Sequence, residues 1–341
     1  NKEHFLEDVE WIDILKLKAS FGQQGNDRIG NNYAYLDQYS VTGADGVFSD
    51  GTLVYKGNPD LTWEKSNAFN IGTDFTLFGS KLNGTIEYFS RKTSDMLYSK
   101  PVANSNGYSS IPMNIGAMTN SGLEIELNYT PIETNNLKWT VFGNATFMKN
   151  KINELHPELK GELISGSYIY SEGESRYRMY LPKYAGVDPE TGEALYWAKD
   201  ENGQEYKTVD MQKANQNKAA TEDLLPTVYG GFGTSISAYG FDASIQCSYQ
   251  LGGTIYDSGY ASLMHGGTNS SAGRNWHTDI RNSWTPENKN TDIPRVNASD
   301  QYASSTSTRF LTSSDYLSIN NITVGYTLPK NLTQKFNVSK L

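Results

Sequence analysis

One stretch of the chain, FDASIQCSYQ at residues 241–250, alternates apolar and polar residues without a slip. A period of two predicts a β-strand whose two faces differ in polarity. In a soluble sandwich the apolar face packs into a core and the polar face meets water. In a membrane barrel the apolar face contacts lipid and the polar face lines a lumen. Deciding which environment each face meets therefore decides the fold class.

Seven further stretches show the same alternation. They are residues 14–21, 66–78, 81–90, 121–130, 138–147, 227–239 and 316–328. Phe142 interrupts the fifth of these in chain order, and the last alternates cleanly only after Asn321, which predicts a β-bulge at Asn320-Asn321. Several stretches alternate for about ten residues, the length that a tilted strand needs to cross a bilayer.

The links between these strands alternate between long and short. The three short links are Gly79–Lys81, Pro131–Leu137 and the single residue Gly240. Outer-membrane barrels of the up-and-down type have short periplasmic turns at one end and long extracellular loops at the other. A Greek-key sandwich has no reason to alternate in this way. We therefore predict an all-β, antiparallel, up-and-down transmembrane β-barrel with long extracellular loops.

Aromatic residues recur near the ends of these strands. They are Trp63, Tyr88, Tyr129, Trp139, Phe147, Tyr249 and Tyr326. Two interpretations stay open, since such residues form the girdles of membrane barrels and are also good strand formers in general.

Composition excludes several classes of protein. The 341 residues contain no run of 18 apolar residues, so a transmembrane helix is excluded. A net charge of −9 argues against a nucleic-acid-binding surface. The single cysteine, Cys247, excludes an intramolecular disulfide and a cysteine-clustered zinc site.

Residues with catalytic or metal-binding chemistry do not form a convincing constellation. Glu124 and Glu126 share one strand face, which suits a polar lumen better than the defined separation of a glycosidase pair. His277 and Asp279 offer two metal ligands without a second cluster, and the other histidines are scattered. Those other histidines are His4, His156 and His265. We predict no enzyme activity, no cofactor and no metal.

The segment VDPETGEAL at residues 187–195 gathers three carboxylates. Asp188, Glu190 and Glu193 surround Pro189 and Gly192. Clustered carboxylates suit calcium, whereas Asp-Pro and Thr-Gly are ordinary turn formers. We favour the turn and leave calcium open.

Long stretches of the sequence resemble a known family. They are LKLKASFGQQGN (15–26), residues 57–97, NIGAMTNSGLEIELNYTPI (114–132), KYAGVDPETGEALYW (183–197) and YLSINNITVGYTLPKNL (316–332). The chain is similar, over most of its length, to the C-terminal barrel half of SusC/RagA-type TonB-dependent outer-membrane transporters. The resemblance implies that residues 1–341 are a C-proximal slice of a 22-stranded plugged barrel, with the plug domain and TonB box absent from this chain.

The same resemblance implies a function and partners. It implies import of glycans or peptides across the outer membrane of a Gram-negative, Bacteroidetes-type bacterium. The implied partners are a SusD-like surface lipoprotein that closes the barrel, TonB acting through the N-terminal part, and the lipid of the outer membrane. The alternative is a secreted all-β carbohydrate-binding or adhesin module, which would explain aromatic loops but not the alternating link lengths.

Aromatic residues of the long loops are the candidate contacts to cargo or lid, since these loops must cover the barrel mouth. They are Tyr33, Tyr35, Tyr39, Tyr98, Tyr108, Tyr168, Tyr170, Trp276 and Trp284. For any single one of them, packing of the loop on itself is the competing explanation.

Overall fold

All eight predicted strands form, and they pair in sequence order into one antiparallel sheet. The computed structural model describes residues 8–44, 47–267, 273–300, 302–329 and 333, without side chains for residues 42–50. His4 and the last three residues of the 316–332 stretch lie outside the described residues. The strands of the sheet are β1 (Ile12–Asn26), β2 (Glu64–Leu77), β3 (Leu82–Ser94), β4 (Gly116–Glu133), β5 (Leu137–Leu155), β6 (Val228–Ala238), β7 (Phe241–Leu251) and β8 (Tyr316–Tyr326).

Three tight turns close the sheet at one end. They span residues 78–81, 134–136 and 239–240. The last is a two-residue hairpin loop in which Tyr239 and Gly240 both have positive φ, 51° and 91°. A type I′ turn needs this backbone at both central positions, because it matches the twist of the flanking strands. The predicted alternation of short and long links is therefore confirmed.

Polar and apolar side chains segregate to two faces, which we call the inner and the outer face. Lys18, Glu87 and Glu126 belong to the inner face, and the outer face carries Leu17 and Ile322, which are 81% and 65% exposed. Water-soluble proteins rarely expose a contiguous apolar surface of this extent. The outer face is therefore the surface that needs lipid.

The opening stretch lies within β7, and its register confirms the predicted faces. Ile245 pairs with Thr234 on β6 and with Ile322 on β8. Cys247 is half-buried on the outer face between Phe232 and Ile319.

The irregular positions of the sequence pattern have local causes. The pairing shifts between Gln246 and Cys247 and leaves Asn320 as an extra residue on β8, so the predicted bulge is confirmed. Phe142 does not break the pattern of β5, because it points to the inner face and its ring lies over Gly233 of β6. A Cβ on Gly233 would come within 2.5 Å of that ring, so the glycine permits this close approach.

Several strands are longer than the alternation predicts, and β4 and β5 are extended the most. β4 has 18 residues and β5 has 19, and both extend at the end that carries the long loops. Their extensions bury Met118, Ile152 and Leu155 against loop residues. Backbone hydrogen bonding continues past the bilayer, but the strict apolar-polar alternation that reveals a strand is imposed only where one face meets lipid.

Four long loops lie at the opposite end from the turns, and we call them L1 (27–63), L2 (95–115), L3 (156–227) and L4 (252–315). L1 contains paired strands Gln38–Ala44 and Val47–Tyr55, and L2 contains Leu97–Pro101 and Ser110–Asn114 with a 3-10 turn at Asn104–Asn106. L3 contains Glu162–Ser165 paired with Tyr168–Ser171, Tyr180–Leu181 paired with Ala219–Ala220, a three-stranded sheet of Tyr184–Val187, Ala194–Lys199 and Glu205–Thr208, a 3-10 turn at Pro157–Leu159 and the helix Met211–Gln216. L4 contains Thr254–Tyr256 paired with Leu311–Ser313, the helix Ser258–Leu263 and 3-10 turns at Thr278–Asn282 and Thr308–Phe310. Within the described ranges, no helix has the length and apolar character to span a membrane.

Aromatic rings sit on the sheet near both of its ends. Near the turns, Trp11 stacks on Phe78 with 5.9 Å between ring centroids, and Phe241 lies 4.4 Å from Tyr326. Near the loops, the indole of Trp63 lies over Gly25. This placement supports the girdle interpretation over simple strand propensity.

Candidate functional site

The inner face carries a charged network that joins the first three strands. The Lys18 ammonium on β1 lies 2.9 Å from an Asp74 oxygen on β2 and 3.1 Å from a Glu87 oxygen on β3. The Thr85 hydroxyl donates a hydrogen bond of 3.0 Å to the same Asp74 carboxylate, and Lys16 lies 3.9 Å from it. One ammonium shared by two carboxylates holds neighbouring strands together without an apolar core on this side of the sheet.

The carboxylate pair Glu124 and Glu126 lies beside this network. The strand register places Glu124 opposite Glu87 and Glu126 opposite Thr85. Glu87, both glutamates and Tyr229 line a polar groove of about 440 Å³ on the inner face. The pair thus forms part of a hydrated wall, as the strand pattern predicts.

A cluster of buried apolar side chains lies in the loops rather than in the sheet. Ala194, Tyr196, Met211 and Ala214 of L3 form a buried cluster. The Tyr196 hydroxyl donates a hydrogen bond of 2.6 Å to the Tyr302 carbonyl of L4. L3 and L4 therefore fold together as one layer over the end of the sheet.

Tyr184 belongs to the same layer. Its hydroxyl donates to the Asp292 carbonyl at 2.7 Å, and its backbone N–H donates to the Thr308 hydroxyl at 2.9 Å. Burial raises the pKa of Tyr184 to about 12, and burial also raises the pKa of Tyr196. Both phenols are therefore neutral packing and hydrogen-bonding groups at physiological pH.

The turn with three carboxylates connects L3 to L4 through hydrogen bonds and ion pairs. The Asp188 carboxylate accepts hydrogen bonds from the backbone N–H groups of Glu190 and Thr191 at 2.8 and 3.1 Å. Glu193 pairs with Arg295 of L4 at 3.0 Å.

The third carboxylate, Glu190, pairs with Lys289 of L4 at 3.3 Å. All three carboxylates thus have protein partners, which supports the turn interpretation. Across the part of the chain that the structure describes, no group of three or more His, Cys, Asp or Glu residues converges on a metal position.

His277 and Asp279 serve as a local cap. The His277 imidazole accepts a hydrogen bond of 3.2 Å from the Asp279 backbone N–H at the start of Thr278–Asn282. The Asp279 carboxylate accepts a further bond of 3.1 Å from the Tyr260 hydroxyl. These contacts account for both side chains without a ligand.

The two predicted tryptophan contacts are occupied by the protein itself. The indole of Trp284 lies over Gly192 and donates a hydrogen bond of 3.1 Å to the Pro189 carbonyl. Trp276 stacks on His265 at 5.0 Å and donates to its carbonyl at 2.8 Å. Both therefore act first as packing residues of L4.

The predicted tyrosines of L1 are open to solvent. Tyr33, Tyr35 and Tyr39 are each more than half exposed. Tyr35 and Trp63 line a groove of about 830 Å³. These rings remain candidates for contact with another molecule.

Tyr39 and Tyr108 lie close to a charged pair. Lys56 and Asp37 form an ion pair of 2.8 Å in L1. The Asp37 carboxylate raises the pKa of the Lys56 ammonium, with smaller electrostatic contributions from the side chains of Tyr108 and Tyr39. L1 and L2 therefore share one aromatic and charged surface.

The three remaining predicted tyrosines lie around L2 and L3. Tyr168 is 42% exposed and bridges to Met179 within L3. Tyr98 and Tyr170 come from different loops and meet at one small cavity above the inner face, which also receives Arg176. Arg176 is not predictable from the sequence, because no local pattern distinguishes it from other loop cations.

Comparison with known proteins gives consistent matches. The family described as "TonB dependent receptor-like, beta-barrel" matches residues 8–339. TonB-dependent receptor P3 of Formosa agariphila is 29% identical over 98% of this chain and 34% of its own length. TonB-dependent receptor SusC of Bacteroides thetaiotaomicron is 33% identical over 45% of this chain and 16% of its own length.

The structural comparison agrees. The structure of the RagAB peptide transporter matches with 26% identity and a TM-score of 0.78, over 96% of this chain and 36% of the matched chain. The chain spans about a third of the length of TonB-dependent receptor P3 and of the matched RagAB chain.

Proposed function

Because the chain belongs to the TonB-dependent receptor-like β-barrel family and is an outer-membrane protein of that family, we propose that it forms part of the wall and the extracellular loops of a SusC/RagA-type nutrient importer. The two-faced sheet carries this proposal. Its outer face exposes apolar side chains over its whole width, and its inner face presents the Lys18 network and the glutamates of β4. A wall of this kind separates lipid from a hydrated passage.

The chain's own residues would act by shaping and closing that passage. Charged side chains on the inner face keep the passage hydrated and supply a polar surface for the plug or the moving solute. The joined layer of L3 and L4 covers the sheet at the loop end, since Tyr196 and Arg295 tie the two loops together. Covalent chemistry has no role in this account.

The proposed partners are a SusD-like lipoprotein, which would lie on the loops, and TonB, which would act through another part of the protein. The exposed tyrosines of L1 support a loop surface that binds a partner, because aromatic side chains are enriched at protein interfaces. The proposed cargo is a glycan or a peptide. RagAB is a peptide transporter, which supports a peptide cargo, and SusC is a second relative among the TonB-dependent receptors.

The exposed outer face disfavours the alternative of a secreted carbohydrate-binding or adhesin module. Val324 is 76% exposed and Phe21 is 73% exposed on this face. A secreted module would have to bury such residues against a second layer.

An uptake experiment tests the proposed function. The gene is deleted and complemented, and uptake of fluorescent oligosaccharides and peptides is compared between the strains, with and without TonB. We expect uptake of at least one class to require both the gene and TonB. Uptake of every cargo at the wild-type rate in the deletion strain would refute the proposal.

A further inference from the structure

One small cavity at the mouth of the proposed passage combines an apolar floor with an arginine that has no ion-pair partner among the described residues. It has a volume of about 140 Å³ and lies where the inner face of the sheet meets L2 and L3. Met118 of β4 and Ile152 and Leu155 of β5 form part of its floor, and each is at least nine-tenths buried. A cavity of about 150 Å³ with an apolar lining holds one benzene-sized molecule. There is room here for one aliphatic side chain and not for a sugar ring with its hydroxyl groups.

Tyrosines from two loops form the wall of the cavity. Tyr98 comes from L2 and Tyr170 from L3. Burial raises the pKa of Tyr170, and the positive charge of Arg176 opposes this shift. Arg176 and Tyr170 both line the cavity, so the guanidinium and the phenol belong to one site.

The backbone of Arg176 is fixed to the barrel wall. Its N–H donates a hydrogen bond of 2.7 Å to the side-chain oxygen of Asn150, which is only 2% exposed. The Asn150 amide in turn donates to Asn120 on β4 at 2.7 Å. Immediately before it, residues 173 and 174 exchange backbone hydrogen bonds of 2.8 Å with Ile152. The backbone of Arg176 is thus held at a set position on the rim of the passage, and its exposed side chain lies at the cavity.

The charge of Arg176 is available to a ligand. Among the described residues its side chain forms no ion pair, whereas Arg178, two positions on, pairs with Glu174 at 2.9 Å. The acidic group at the cavity, Glu64, already accepts hydrogen bonds from the Leu97 N–H and from Asn26, at 3.3 and 3.4 Å. An arginine that lacks a carboxylate partner next to an apolar cavity recognises a carboxylate joined to an aliphatic group.

We propose that this cavity binds the C-terminal residue of a peptide, with its aliphatic side chain on the apolar floor and its α-carboxylate on Arg176. The inference rests on the proposed import function and deepens it, since it selects peptides with a free, aliphatic C-terminus from the proposed cargo. Tyr98 and Tyr170 act here as walls that exclude water.

Calorimetry on the full-length gene product in detergent tests the proposal. The probes are Gly-Gly-Leu, its C-terminal amide and Gly-Gly-Ser. We expect the wild type to prefer Gly-Gly-Leu over the other two, because only this probe offers both the carboxylate and the aliphatic side chain. Arg176→Gln should weaken binding of Gly-Gly-Leu about tenfold, or about 1.4 kcal/mol, and leave the affinity for the amide unchanged.

Arg274→Gln is the matched control, because Arg274 is an exposed arginine of L4 away from the cavity. It should bind all three probes as the wild type does. The proposal is wrong if the wild type binds the acid and the amide equally, if Gly-Gly-Ser binds as tightly as Gly-Gly-Leu, or if the two arginine variants lose affinity alike.

The uptake assay separates this proposal from the function on which it rests. TonB-dependent uptake that is insensitive to Arg176→Gln for every peptide would overturn the subsite alone. Absence of any TonB-dependent uptake in the wild type would overturn the importer function itself.

Discussion

Replacing Ile245 by arginine places a charge on the outer face, halfway along its strand. Ile245 is the fifth of 11 residues in β7, so it lies near mid-strand, and its neighbours on that face are Thr234 and Ile322. An arginine on the lipid face of a barrel costs roughly 2–4 kcal/mol at the bilayer midplane. That cost corresponds to a decrease of roughly 30- to 700-fold in the folding equilibrium constant.

Gln246→Arg is the matched control, since the next residue points to the inner face opposite Gly233 and Asn321. There the new charge meets water, and we expect a change within about 0.5 kcal/mol, as for a surface substitution. The assay is guanidinium unfolding of the full-length protein in phospholipid vesicles, together with its abundance at the cell surface. Equal stability and abundance of the two variants would refute the assignment of faces.

Three further predictions concern the inner face and the loops. Lys18→Met should lower the denaturant midpoint of unfolding in vesicles more than Lys16→Met. The reason is that Lys18 bridges Asp74 and Glu87 at 2.9 and 3.1 Å, whereas Lys16 lies 3.9 Å from Asp74. Equal effects of the two substitutions would contradict the network. Gly192→Ala should destabilise the packing of L3 against L4 by about 1–2 kcal/mol, because Gly192 has φ of 75° and its missing side chain makes room for Trp284. Limited proteolysis should then cut L3 while the barrel stays folded. An unchanged cleavage rate would count against this contact between the two loops. Tyr184 should stay protonated at pH 11, because burial raises its pKa to about 12. The stability that the neutral phenol contributes is complete below the unfolded pKa of 10 and is lost as pH rises through 12. If Tyr184→Phe removes one tyrosinate from the 295 nm absorbance at pH 11, the burial argument fails.

The sheet is predictable from the sequence because lipid and water impose opposite demands on alternate residues. This physical constraint is local, so a window of ten residues such as 241–250 reveals both the strand and its faces. The bulge at Asn320 is predictable for the same reason, since one extra residue reverses the phase of the alternation.

The loops resist this approach because their contacts join residues far apart in the chain. The Tyr196–Tyr302 hydrogen bond spans 106 positions, and the Trp284–Pro189 bond spans 95. No local pattern shows that Trp284 packs over a glycine of another loop, so a ligand contact and a packing contact look alike in the sequence. The position of Arg176 likewise depends on Asn150, which belongs to the extension of β5 beyond the alternating segment.

The native cysteine offers the most direct measurement of the central claim, that the outer face meets lipid and the inner face meets water. Cys247 on the outer face is compared with Gln246→Cys in a Cys247→Ser background, both in the full-length protein in vesicles. Each thiol is spin-labelled, and its relaxation is measured with oxygen, which concentrates in lipid, and with a water-soluble nickel complex. The account predicts that oxygen dominates at residue 247 and the nickel complex at residue 246. Dominance of the nickel complex at both positions would contradict it.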